Sequence, residues 1–128
     1  MAKTILVVDD EADIVDMLKD MLTETGYEVV TASDGKEALR KTKLLKPDLI
    51  VLDVNMPKMD GSEVIFTLKQ NEATKNIPVI FLTALRSRED GFGIEKNVGG
   101  IPTFAKPFDF DELLGKIREM IAASEKRE

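Results

Sequence analysis

Five side chains in this sequence could do chemistry together: Asp9, Asp10, Asp53, Thr83 and Lys106. Asp53 closes Asp48-Leu49-Ile50-Val51-Leu52-Asp53, a short apolar run that ends in a carboxylate. Alone, an Asp in such a place is usually a turn former or a helix cap. Asp9-Asp10-Glu11 puts consecutive acids after another apolar run. A helix start there can use Asp9 or Asp10 as a cap, but one cap needs one Asp. Adjacent carboxylates repel, and that cost asks for a cation. Asp9, Asp10 and Asp53 together would form a hard oxygen site of the kind Mg2+ prefers. With Lys106 as a neighbouring point charge, the ionised form of Asp53 is favoured. An ionised carboxylate nucleophile beside Mg2+ and an ammonium suits one reaction well, the acceptance of a phosphoryl group as an acyl phosphate. The metal and Lys106 would neutralise the oxygens of the moving group, and Thr83 would offer one of them a hydroxyl.

Composition removes several alternatives. The chain contains no His, which excludes a Ser-His-Asp triad, a histidine base and histidine-ligated zinc. It contains no Cys, so there is no disulfide framework or thiol chemistry, compatible with a cytoplasmic location. The net charge of -6 argues against direct nucleic-acid binding, whose affinity comes mainly from Lys and Arg. No run of apolar residues is long enough to span a membrane. Met1-Ala2-Lys3 leads straight into a strand and leaves no room for a signal peptide. At 128 residues and 43% hydrophobic, a single domain with one core is expected, over residues 1–123, followed by a charged tail at 124–128.

The elements that must position the five side chains alternate in type. Thr4 to Val8 reads as a buried strand, and Ile14, Met17, Leu18, Met21 and Leu22 put a helix over about Ala12 to Thr25, stopped by Gly26. A less apolar strand runs from Tyr27 to Ala32. A helix follows from Lys36 to about Leu45, with Ala38, Leu39 and Leu45 inward, and Pro47 ends it. The Asp53 strand feeds a loop through Gly61 and a helix carrying Val64, Ile65 and Leu68. Ile77 to Leu82 is a fourth strand, with Pro78 admissible only near its beginning. Arg86 to Asn97 is a helix by position, weakened by Gly91 and Gly93. Ile101 to Ala105 is the last strand, placed at a sheet edge because of Pro102. The final amphipathic helix carries Phe110, Leu113, Leu114, Ile117, Met120 and Ile121. Most of the phenylalanines are expected in the core or at its rim, and Glu11, Asp13 and Asp16 on a solvated helix face.

Strand and helix alternating five times imply an α/β fold: a doubly wound five-stranded parallel sheet, order 2-1-3-4-5, flavodoxin-like, with five helices. In that order the first, third, fourth and fifth strands are neighbours. Their carboxyl ends bring Asp9, Asp10, Asp53, Thr83 and Lys106 to one shallow site.

The chain resembles the receiver domain of two-component response regulators over about Lys3 to Ala122. The resemblance rests on Val7-Val8-Asp9-Asp10-Glu11, Leu52-Asp53-Val54-Asn55-Met56-Pro57-Lys58-Met59-Asp60-Gly61, Leu82-Thr83-Ala84 and Lys106-Pro107-Phe108. It implies that Asp53 accepts a phosphoryl group from a phosphohistidine on a histidine kinase or phosphotransfer protein. It implies Mg2+ held by Asp10, Asp53 and the main-chain carbonyl of Asn55, with Asp9 reaching it through water. It also implies a cis Lys106–Pro107 bond. A receiver is not a turnover enzyme, although it takes part in its own phosphotransfer and dephosphorylation. Ala84, Leu85, Thr103, Phe104 and Pro107 fall on the family's switch and output surface, and Asn55 and Leu85 on positions that tune dephosphorylation. Thr103 stands where the family usually carries an aromatic, so a ring flip at that position is not expected here. Output then passes to a downstream protein target or effector domain.

Two other readings fit the same fold. One is a binding module that works without phosphorylation, suggested by Thr103 and the glycine-rich segment before it. The other is a flavin or nucleotide binder, disfavoured because acids rather than a glycine-rich phosphate loop follow the first strand.

Overall fold

The computed structural model describes residues 2–54, 61–83, 96–98 and 101–126. In chain order the elements are β1 (Thr4–Val8), α1 (Ala12–Glu24), β2 (Glu28–Ala32), α2 (Gly35–Leu45), β3 (Leu49–Asp53), α3 (Gly61–Lys69), β4 (Val79–Thr83), β5 (Lys96–Val98), β6 (Ile101–Ala105) and α4 (Phe110–Lys126). The sheet order is β2-β1-β3-β4-β6-β5. Pairing is parallel throughout except for β5, which runs antiparallel to β6. The parallel strands therefore stand in the expected 2-1-3-4-5 order, with helices on both faces.

The period of two along each strand divides the core. Ile5 and Val7 of β1, Leu49 and Val51 of β3, Ile80 and Leu82 of β4 and Phe104 of β6 pack under α1 and α4, against Leu18, Leu22, Leu113 and Ile117. Their alternates Leu6, Val8, Ile50, Leu52, Val79 and Phe81 pack under α2 and α3, against Ala38, Val64 and Leu68. Both faces of β3 are covered, which is why its sequence is an unbroken apolar run.

The helix ends follow local chemistry. Gly26 adopts φ +105° after α1, a conformation that glycine takes without a steric penalty. At the start of α2 the Asp34 side chain accepts from the Glu37 N–H at 2.8 Å, and the Glu37 carboxylate accepts from the Ser33 N–H at 2.8 Å. This reciprocal cap is closed on the outside by Lys41, whose Nζ lies 2.9 Å from Glu37. α2 ends at Lys46 in the left-handed region (φ 46°), and Pro47 follows.

Several expectations are revised. Residues 96–98 form a strand rather than the end of a helix, so Ile101–Ala105 is not the sheet edge. Pro102 is tolerated because it stands ahead of the pairing with β4 rather than inside it. Lys106 N–H donates to Thr83 O, so by alternation the even-numbered positions of β6 face β4 and the odd ones face β5. The first β4–β6 pair is Phe81 with Thr103, one residue beyond Pro102. The pairing with β4 thus begins just after Pro102, and on the other side Pro102 stands opposite Asn97 of β5. Four helices lie among the described residues, and residues 86–95 of the helix expected at 86–97 lie outside them. α4 continues to Lys126, so the stretch expected as a tail is helical at 124–126, and Lys3 pairs with Glu125 at 2.7 Å. Leu45 is 49% exposed, against the expectation that it points inward, and Phe66, 67% exposed, is a phenylalanine outside the core.

Candidate functional site

Asp9 and Asp53 continue the parity of Ile5–Val7 and Leu49–Val51, and Lys106 that of Phe104, so all three follow the α1/α4 face at the carboxyl edge of the sheet. The geometry bears this out. Lys106 Nζ lies 2.7 Å from Asp9 Oδ2, 2.9 Å from Glu11 Oε1 and 3.6 Å from Asp53 Oδ2. Carboxylate oxygens of Asp9, Asp10 and Asp53 all lie within 4.8 Å of one another. Asp9 and Asp53 are buried, at 1% and 2% exposure, whereas Asp10 is exposed. A cleft of about 290 Å3 opens beside them, lined by Asp9, Asp10, Asp16, Ser33 and Glu37 among others.

Backbone hydrogen bonds hold this arrangement. Lys106 N–H donates to Thr83 O at 2.8 Å, and Val54 N–H donates to Leu82 O at 2.9 Å, which fixes the ends of β6 and β3 against β4. The Lys106–Pro107 bond is cis, as expected. Gly61 packs against the end of β3, where an added Cβ would stand 3.0 Å from Val54 Cα and 3.4 Å from the Asp53 carbonyl oxygen. Only a residue without a side chain fits there unstrained.

Neither Asp9 nor Asp10 is the N-cap of α1. That position is Glu11, whose side chain makes no capping hydrogen bond. Asp9 instead divides its carboxylate: Oδ1 accepts from the Glu11 N–H at 2.9 Å and Oδ2 accepts from Lys106. Glu11 is the residue missed by the sequence reading, which placed it on a solvated face. Its place as third acid of the run after β1 was the available signal. Burial pulls the Lys106 pKa down, but hydrogen bonds and charge from Asp9, Glu11 and Asp53 outweigh it and raise the pKa above its ordinary 10.5.

The other sequence-selected residues are distributed as follows. Thr83 is half-buried at the end of β4, beside the β3 end. Thr103 is buried, and its Oγ1 donates to Ile101 O at 3.1 Å. Phe104 is buried in the α1/α4 face and thus points away from the side Thr103 occupies. Pro107 is exposed. Asn55, Ala84 and Leu85 lie outside the described residues. Asp53 is enclosed because it ends an inner strand and has Lys106 beside it.

Residues 5–118 match the family model of the response regulator receiver domain. The chain belongs to this family. It is 44% identical over 126 residues to the alkaline phosphatase synthesis transcriptional regulatory protein PhoP of Bacillus subtilis, covering 98% of this chain and 51% of the relative. Among solved structures it is similar to a CheY-like receiver domain of Methanospirillum hungatei, with TM-score 0.84 and 29% identity over the whole of both chains. It is also similar to the response regulator TrrA of Thermotoga maritima, solved in complex with Mg2+ and BeF. There the TM-score is 0.77 at 37% identity, covering 92% of this chain and 98% of that one. The receiver chain spans about half the length of the curated relatives it matches. Among the described residues, no helix is long and apolar enough to cross a membrane.

Proposed function

We propose that this receiver accepts a phosphoryl group on Asp53 from a phosphohistidine carried by a histidine kinase or phosphotransfer protein. The observation that carries this reading is the Lys106 ammonium held between Asp9 and Asp53, with the Asp10 carboxylate beside them. The P–N bond of the donor breaks as a P–O bond to an Asp53 oxygen forms, and the leaving imidazole takes up a proton. Lys106 meets the charge on the transferred oxygens, and the Thr83 hydroxyl donates to one of them.

Asp10 and Asp53, with the main-chain carbonyl of Asn55, would hold Mg2+, and Asp9 would reach it through water. Three carboxylates whose oxygens lie within 4.8 Å of one another are a donor set that suits a hard divalent cation. Bound there, Mg2+ supplies neutralisation of developing negative charge. The magnesium and BeF in the TrrA complex support this choice.

Such a domain is a switch rather than a turnover enzyme. Phosphorylation adds roughly -1.5 to -2 charge at the end of β3 and biases the neighbouring surface. The segment that includes Ala84, Leu85, Thr103 and Phe104 is the element to be biased. Its readout is a downstream protein target or an effector domain, as suggested by relatives that are twice as long and named as transcriptional regulators. With a net charge of -6, the receiver itself is not expected to touch nucleic acid. Incubation with acetyl phosphate and Mg2+, followed by intact-protein mass spectrometry, should show one phosphate on the wild type and none on Asp53→Ala. Equal labelling of both would overturn the assignment.

A further inference from the structure

Lys106 has to serve two demands that conflict. It must stay near Asp53 to meet an incoming phosphoryl group. Yet an ammonium seated directly on the Asp53 carboxylate would compete with a metal for the same oxygens. In the structure the amine is not seated on Asp53. It lies 3.6 Å from Asp53 Oδ2 but 2.7 Å and 2.9 Å from Asp9 and Glu11. Asp9 is held in place by the Glu11 N–H and is fully buried, so it is a fixed anchor. Glu11 is different: its side chain is 60% exposed, and its carboxylate reaches Lys106 from the solvent side at the start of α1.

We infer that Glu11 is a positioning residue, holding the Lys106 ammonium toward α1 and off the Asp53 carboxylate. This rests on the proposed function only for its purpose; the restraint on Lys106 is a property of the resting protein. Without Glu11 the ammonium is left to Asp9 and Asp53 alone and settles closer to Asp53. Asp53 then becomes a poorer ligand for a divalent cation. The exposure of Glu11 also makes the restraint easy to release, since an exposed ion pair exchanges with water at little cost. A phosphoryl group arriving on Asp53 can therefore draw the ammonium away from Glu11 while Asp9 stays bonded.

The test uses Glu11→Gln, with Asp13→Asn as a control that removes one charge from the same helix without touching Lys106. The 15N signal of the Lys106 ammonium, assigned by its loss in Lys106→Arg, reports the restraint directly and needs no phosphorylation. It should shift in Glu11→Gln and stay in place in Asp13→Asn. Mg2+ titrated alone should bind Glu11→Gln roughly two- to fivefold more weakly than wild type, the size expected from one exposed ion pair, and Asp13→Asn less than twofold more weakly. Glu11→Asp, one methylene shorter, should fall between. An unmoved Lys106 signal in Glu11→Gln, or an equal loss of Mg2+ affinity in Asp13→Asn, would overturn the inference. Failure of Asp53 to take up phosphate would instead overturn the proposed function and leave these two readouts standing.

Discussion

Lys106 Nζ and Asp9 Oδ2 meet at 2.7 Å, with the Asp9 side chain fully buried and that of Lys106 11% exposed. This pair joins the first strand to the last parallel one across the carboxyl edge of the sheet. Removing the cation leaves a buried carboxylate beside two others, so Lys106→Met should cost about 2–4 kcal/mol in metal-free buffer at neutral pH. The raised Lys106 pKa fixes the pH dependence. A folded pKa above the unfolded 10.5 contributes stability that is fully present below 10.5 and is lost as pH rises through the folded value. The difference between wild type and Lys106→Met in urea unfolding should therefore shrink as pH climbs past 10.5. A constant difference from pH 7 to pH 11 would show that the ion pair is not its source.

Acids that repel one another without a metal should make a divalent cation stabilising. At a hundredfold excess over its dissociation constant, Mg2+ should add about 2.7 kcal/mol, on the order of 10 °C in Tm. Calorimetry with Mg2+ and with EDTA measures this. Asp10→Asn, which removes the exposed carboxylate of the cluster, should lose most of the Mg2+ increment. Identical melting curves with and without Mg2+ would be incompatible with a metal site among these acids.

Much of this architecture was readable in the chain because β1, β3 and β4 are buried on both faces and so carry unbroken apolar runs. The convergence of Asp9, Asp10, Asp53 and Lys106 followed from strand order alone. The misreadings have tertiary causes. Lys96-Asn97-Val98 is too short and polar to announce a strand and becomes one by pairing with β6. Pro102 looked like an edge signal, but the effect of a missing N–H depends on where in the pairing it falls, and here it falls just before the first β4–β6 pair. Glu11 looked like one more acid on a solvated helix face, and its role depends on a lysine at the other end of the chain.

Glu37 offers a test away from the site. Its pKa is lowered from 4.5 to about 2, first by the Ser33 backbone N–H and then by Lys41. A depressed carboxylate pKa contributes stability that is present above 4.5 and lost as pH falls toward 2. Glu37→Gln keeps an acceptor for the Ser33 N–H but removes the charge that strengthens this bond and pairs with Lys41, and should cost about 0.5–1 kcal/mol at pH 7. That cost should diminish by pH 3, measured by urea unfolding. A cost that does not change between the two pH values would assign it to packing instead.

Thr103 and Phe104 are adjacent, both buried, and on opposite sides of β6. Phe104→Ala opens a cavity among Leu82, Leu113 and Ile117 and should cost about 3–5 kcal/mol. Thr103→Val removes only a hydroxyl bonded to the Ile101 carbonyl and should cost under about 1.5 kcal/mol. Denaturant midpoints for the two variants decide this. Comparable losses would mean that Thr103 does more than fill its place.

Two glycines in helices should respond in opposite directions to the same substitution. Gly115 in α4 has nothing within 4 Å of an added Cβ, so Gly115→Ala gains helix propensity and should stabilise by about 0.5–1 kcal/mol. Gly61 opens α3 against the end of β3, where the Cβ would press on Val54 Cα at 3.0 Å and on the Phe81 ring at 3.4 Å. Overpacking against backbone typically costs about 1–3 kcal/mol and exceeds any propensity gain at a helix start. Gly61→Ala should therefore destabilise by about 1 kcal/mol or more. Because the strained contacts adjoin the Asp53 carbonyl, labelling by acetyl phosphate should also slow in Gly61→Ala while Gly115→Ala labels at the wild-type rate. If Gly61→Ala matched wild type in both stability and labelling, the close packing of α3 on the phosphoacceptor strand would not be a constraint on the site.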